Sequence, residues 1–167
     1  MVFLTTSKDS DGLLIIPLYI NGSPQAIDDE TVLFPVNNAV SDTIIHHAVS
    51  TSLTSANDAC DAASVACMSW RKTTPSHRRA LLLKAADIVE RKAQEIAQSQ
   101  MKETSCPAPF AAMNVKGGVA NMREIAAATS ELRGTVPQRS TRPDGGEVEG
   151  LTIVVREPVG VVLIIPP

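Results

Sequence analysis

The chain has 167 residues, 44% of them apolar but only 3% aromatic, and a formal charge of −3, which fits about one domain with a core left to Ala, Val, Ile and Leu. Its basic residues are interleaved with acids, which argues against a nucleic-acid partner. No apolar run nears the roughly twenty residues of a membrane span, and the N-terminus lacks the basic start and long apolar run of a signal peptide, so no membrane contact and a cytoplasmic location are expected.

After a polar lead, Leu13 to Ile20 is an apolar run that meets Asn21-Gly22. Both turn residues tolerate positive φ, as a tight hairpin requires, which predicts a strand pair bent there. Pro17 and Pro24 cannot donate to a ladder and predict an edge position. Further strands are expected at Thr31 to Val36 and Thr43 to Ser50, completing a small antiparallel β region. His46 and His47 lie on the last of these, and neighbours on a strand point to opposite faces, so no shared metal is expected.

Ser55, with Asp58 three residues on, predicts a capping-box-like helix start. Cys60, Ala63, Cys67 and Trp70 then recur at helical spacing over a helix from Asn57 to about Ser69, rich enough in Ala to approach another helix closely. Trp70 reads as an anchor at the following turn. Cys60 and Cys67 would sit roughly 10 Å apart along one helix, too far for a disulfide, so free thiols are expected.

Thr74 and Pro75 open the longest helical pattern, Pro75 to Lys102, as cap and first residue. Leu82, Ala85, Ala86, Val89, Ala93, Ile96 and Ala97 share one face, with Lys84, Asp87, Arg91, Glu95 and Gln98 opposite. Leu81, Leu83 and Ile88 flank the stripe, which predicts a helix covered on more than one side. The prolines of Cys106-Pro107-Ala108-Pro109 end it. A third helix is expected from about Ala111 to near Gly134, with Val115, Val119, Met122, Ala126 and Thr129 on one face. Its Gly117-Gly118 costs roughly 2 kcal/mol against two alanines, which predicts close helix packing or a local break; no strand or glycine motif around it marks a phosphate loop.

A polar loop from Val136 to Gly150 is expected to bend at Asp144-Gly145-Gly146. Leu151 to Glu157 reads as a strand. Val159 to Ile165, apolar except at Gly160, reads as a strand buried on both faces of a parallel sheet.

Taken in order, LYINGS (from Leu18), the Ala-rich helix ending in Trp70, HRRALLLKAADIVERKAQEIAQ (from His77) and VVREPVGVVLIIPP (from Val154) resemble the N-terminal third of the aldehyde dehydrogenase superfamily, leaning to members that act on aromatic aldehydes. The resemblance runs from Leu18 to Pro167. It implies an α/β fold: an N-terminal fragment of the family fold with a small antiparallel β region, three main helices and the first strand of a Rossmann-like parallel sheet. Residues 1–17 form a lead and the start of an edge strand, and 18–167 a partial domain. The family departures are Asn38-Ala39-Val40-Ser41 for a Pro-Ala-Thr-Gly-like turn, and Glu103-Thr104-Ser105-Cys106-Pro107 for Glu-Thr-Gly-Lys-Pro.

The resemblance further implies NAD or NADP as cofactor, an aldehyde substrate and a homo-oligomer in the intact enzyme. Ile165, Pro166 and Pro167 match the place where the family's backbone passes the cofactor. The family's oxyanion asparagine, cofactor lysine, general-base glutamate and nucleophilic cysteine have no counterpart in these residues, and Cys60, Cys67 and Cys106 match none of their motifs. The expectation is therefore a fragment inactive alone, without catalytic or metal-binding residues of its own. The alternative is a non-enzymatic module that docks on a full-length relative through the apolar strand and the Leu82 stripe.

Overall fold

The computed structural model describes residues 7–27, 31–137, 144–146 and 150–165. Short strands come first: β1 (Ser7–Lys8), β2 (Leu14–Ile16), β3 (Tyr19–Ile20), β4 (Ser23–Pro24), β5 (Leu33–Asn37) and β6 (Ile44–Val49). Helices follow: α1 (Leu53–Trp70), α2 (Pro75–Arg91), α3 (Ala93–Thr104) and α4 (Ala108–Ala128), the last running into a 3-10 turn at Thr129–Glu131. The α/β class holds, with a sheet layer and a helical layer.

The apolar run Leu13 to Ile20 is cut by Pro17 into two strands that serve different sheets. β3 and β4 form the expected hairpin, Tyr19 opposite Pro24 and Ile20 opposite Ser23. Asn21 and Gly22 both hold positive φ, 51° and 75°, the type I′ geometry that suits a twisted two-residue hairpin. β2 instead joins a four-stranded sheet of order β1-β2-β6-β5. There it is flanked on both sides, so the expected edge position applies to the hairpin and not to β2. The β2–β6 pair is parallel, Ile15 opposite His47; the β region is therefore mixed rather than wholly antiparallel.

His47 on β6 places Nδ1 2.8 Å from Asp9 Oδ2, both side chains mostly covered. Nδ1 meets no hydrogen-bond partner of good alignment there. Asp9 also accepts from the backbone N–H groups of Leu13 at 2.8 Å and Asp11 at 2.9 Å. Burial pushes its carboxyl pKa up, but these two amides and the His47 ring outweigh that and hold it below the ordinary carboxylate range. A lowered folded-state pKa means that the unfolded chain takes up the proton first as pH falls. The stabilisation from Asp9 is thus complete above about pH 4 and is lost as pH drops through the lower folded value. Asp9→Asn is expected to destabilise the fold at neutral pH, with the deficit shrinking in acid. Urea melts at pH 7 and at about pH 3 check this, and an unchanged deficit would refute it.

The cap of α1 lies three residues before the expected Ser55. Ser52, not Ser55, is the N-cap, its Oγ accepting from the Ser55 N–H at 3.0 Å; Ser55 lies within the first turn. α1 does not pack closely on another helix either. Its alanines Ala59, Ala62, Ala63 and Ala66 face the β3–β4 hairpin. Trp70 is half exposed, with its ring edge-on to His77 at a 6.4 Å centroid distance.

Thr74 caps α2 as expected, accepting from the His77 N–H at 3.2 Å. The single long helix is in fact two. Lys92, at φ −97° and ψ 12°, shares its N–H between the carbonyls of Ile88 and Val89 and breaks the run. Neither proline nor glycine marks the spot. The break lets α2 and α3 each lie against α4. The Leu82 face turns inward with Ala86 fully buried, meeting Ala111, Val115, Val119 and Ala126 of α4. α4 thus buries the face read from its sequence, down to Thr129. Gly117 and Gly118 are exposed and lie within unbroken helix, and a Cβ on either would meet nothing within 4 Å. They make neither a close contact nor a break.

The C-terminal expectation fails most clearly. Among the described residues, Leu151 to Glu157 contributes only one antiparallel bridge, Thr135 with Val154. Val159 to Ile165 forms no strand, and Val159 and Ile165 are 93% and 83% exposed. A run apolar on both faces becomes a strand only where a ladder accepts its backbone groups, and none of the described strands pairs with it. The bend at Asp144-Gly145-Gly146 is present, with Gly146 N–H donating to Asp144 Oδ1 at 3.0 Å.

Candidate functional site

Of the three residues expected near a dinucleotide, Ile165 sits in exposed, extended chain, and Pro166 and Pro167 lie outside the described residues. A dinucleotide cradle needs a strand, a glycine-bearing turn and a helix N-terminus that present amides to the pyrophosphate. The described residues do not form that sequence of elements: the paired glycines lie inside α4, and Ile165 follows no strand. They do not by themselves fit the cofactor.

The thiols are free, Cys60 exposed and Cys67 and Cys106 half-buried. Ser76 and His77 do not form a nucleophile and base; the His77 backbone is tied to the Thr74 cap and its ring meets Trp70. No group of three His, Cys, Asp or Glu among the described residues is placed to hold a metal ion. No described helix is long and apolar enough to cross a membrane.

Two features do join distant parts of the chain. The first is an open groove of about 770 Å³ between α3 and α4, floored by Ala97, Met101, Val115 and Val119 and rimmed by Lys116 and Arg123. Arg123 also ties α4 to α2 through Glu90 at 2.6 Å and Asp87 at 3.1 Å, exposed contacts worth little each. The groove's signal in the sequence is the α3 part of the Leu82 stripe, Ala93 and Ala97, which Met101 continues four residues further on.

The second is the β5–β6 turn, which closes the C-terminal end of α3. Asn38 Nδ2 donates to the Lys102 carbonyl at 2.5 Å, and the Ala39 N–H donates to the Glu103 carbonyl at 2.9 Å. These are two of the last carbonyls that a helix cannot satisfy internally. Asn38 Oδ1 in turn accepts from the Ser105 hydroxyl at 2.9 Å and from the N–H groups of Val40 and Ser41. Ser105 holds φ 55°, the left-handed geometry usual for a residue that ends a helix.

The order of elements, with an Ala-rich helix, a long helical layer on a small sheet and an apolar ribbon after a polar loop, is the order that the sequence resemblance implied. The model of the aldehyde dehydrogenase family matches residues 26–167. The chain belongs to that family. It is 33% identical over 152 residues to the vanillin dehydrogenase of Pseudomonas sp. (strain HR199 / DSM 7063), an alignment that covers 91% of this chain and 30% of that one. It superposes on the crystal structure of a salicylaldehyde dehydrogenase from Pseudomonas putida G7, complexed with salicylaldehyde, with a TM-score of 0.77 at 28% identity, covering 87% of this chain and 29% of that chain. A NAD-dependent benzaldehyde dehydrogenase from Corynebacterium glutamicum shares the fold, with a TM-score of 0.66 at 22% identity over 74% of this chain and 27% of that one. The chain thus spans just under a third of the length of these relatives.

Within this aldehyde dehydrogenase chain, the segments Asn38-Ala39-Val40-Ser41 and Glu103-Thr104-Ser105-Cys106-Pro107 meet at the closed end of α3. There the Ser105 hydroxyl donates to Asn38 Oδ1 at 2.9 Å.

Proposed function

We propose that this chain serves the NAD(P)-dependent oxidation of an aromatic aldehyde to its carboxylic acid in the cytoplasm, supplying the sheet and helical layers that flank the cofactor domain and not the reacting groups. In this reading Ile165, Pro166 and Pro167 border the cofactor once the apolar ribbon is taken up into a sheet, and the intact enzyme is a homo-oligomer. The observation that carries the reading is the 33% identity to a vanillin dehydrogenase across 91% of this chain. Acyl transfer from an aldehyde needs a thiolate, oxyanion donors, a hydride acceptor and a base that activates water; the described residues present none of these in a shared site. Nothing favours the docking-module alternative, and the Leu82 stripe it would use is covered by α4.

A chimera tests the proposal: this chain replaces the matching first 30% of the vanillin dehydrogenase, and its folding is checked by circular dichroism. The expected result is reduction of NAD or NADP with vanillin in preference to a straight-chain aldehyde, while the 167-residue chain alone gives no turnover above a thiol-blocked control. A folded chimera that oxidises only aliphatic aldehydes, or none, overturns the assignment.

A further inference from the structure

Asn21-Gly22 carries chemistry that the hairpin does not use. The side-chain amide of an asparagine and the backbone nitrogen of the next residue can close a five-membered imide, and a following glycine, which has no Cβ, obstructs that closure least. Among the six asparagines of the chain only Asn21 precedes glycine. Asn21 and Gly22 are exposed, and a Cβ on Gly22 would meet nothing within 4 Å, so the ring has room. The Asn21 amide makes no hydrogen bond among the described residues. The other asparagines are held: Asn37 and Asn38 donate to Asp42 and to the Lys102 carbonyl, and Asn57, Asn114 and Asn121 lie within α1 and α4.

The turn restrains the reaction without preventing it. Both residues hold positive φ, 51° and 75°, and the Gly22 nitrogen must swing toward the Asn21 side chain, which requires the turn to open. That opening is a small one. β3 and β4 have two residues each, a hairpin that is marginal by itself, and opening such a unit locally costs far less than global unfolding. Gln25 fastens it. Its N–H donates to the Leu18 carbonyl at 2.8 Å, and its Nε2 donates to the carbonyls of Ile20 at 3.3 Å and Ser23 at 3.2 Å, one on each strand.

We propose that Asn21 is a site of intramolecular deamidation, reached by local opening of the β3–β4 hairpin. The Gly22 nitrogen attacks Asn21 Cγ; the new N–C bond forms, the bond from Cγ to Nδ2 breaks, and Nδ2 leaves as ammonia with the proton from Gly22. Water then opens the imide at either carbonyl. One route leaves aspartate. The other leaves isoaspartate, whose main chain carries an extra methylene that a two-residue turn does not accommodate, so the alanine face of α1 loses the hairpin it packs on. The inference does not rest on the catalytic reading.

Incubation of the full folded chain in mildly alkaline buffer, with peptide mass mapping at intervals, tests it. Asn21 is expected to gain one mass unit before any other asparagine, more slowly in mild acid, where the Gly22 amide gives up its proton less readily. Gln25→Ala, at an exposed position, should speed the gain by about threefold or more, the effect of losing weak exposed hydrogen bonds, while circular dichroism and the urea midpoint stay unchanged. An Asn21 that stays intact in the folded chain and reacts only in urea overturns the proposal. So does a gain that comes first at another asparagine, and so does a rate that Gln25→Ala leaves unmoved.

Discussion

Asn38→Ala is expected to lower stability by about 2 kcal/mol, the loss of several partly exposed hydrogen bonds at roughly 0.5–1.5 each without full additivity. For a chain of this size that is a fall in melting temperature of about 4–8 °C. The side chain closes the end of α3 at the Lys102 carbonyl, holds the turn through Val40 and Ser41, and accepts from Ser105. It thereby fastens the sheet layer to the helical layer. Asn38→Asp separates these roles. It keeps the acceptor but loses the donor and sets a negative charge against the C-terminal carbonyls of α3, where anions are disfavoured, so it should approach the alanine variant in cost. Ser105→Gly removes one hydrogen bond but relieves a left-handed serine, and should be close to neutral. Urea melts of the three variants decide the matter. A cost for Asn38→Ala within about 0.5 kcal/mol, the range of ordinary surface changes, would sink the idea.

What the sequence made legible was whatever depends on local periodicity. The face of α4 through Val115, Val119, Met122, Ala126 and Thr129, the Thr74 cap and the Asn21-Gly22 turn all follow from spacing and φ preference. What it concealed depends on partners distant in the chain. β2 could not be told from an edge strand because its parallel neighbour, β6, lies about thirty residues away. The break at Lys92 has no breaking residue, and only the packing of two helical segments on one face of α4 requires it. The apolar ribbon shows the converse: Val159 to Ile165 has the composition of a doubly covered strand and remains exposed, because composition states a demand for neighbours without supplying them. The α3–α4 groove and the Asn38–Ser105 contact were hidden for the same reason, as each joins residues from elements read separately. Family resemblance located Asn38 and Ser105 as departures; only the fold puts them in contact.

Ala86→Asp should cost at least about 3 kcal/mol, since it places an unpaired carboxylate where there is no exposed surface at all. Ala86 lies where α2 meets α4, and the fully buried residues on both helices are alanines, Ala86, Ala111 and Ala126. The contact is therefore backbone-close and has no room for a charge to turn outward. Ala86→Ser, nearly the same volume and able to donate to a helix carbonyl, should cost about 1 kcal/mol. The contrast separates tight packing from simple burial: a loosely packed layer would let the aspartate rotate to solvent and bring the two variants together. Far-UV circular dichroism through a urea titration supplies the readout, because α2, α3 and α4 hold one another and should be lost in a single transition at lower urea for the aspartate. If the aspartate variant melts with the serine variant, the helical layer is not the compact unit that its alanine seam implies, and the α3–α4 groove beside it would not keep a fixed shape.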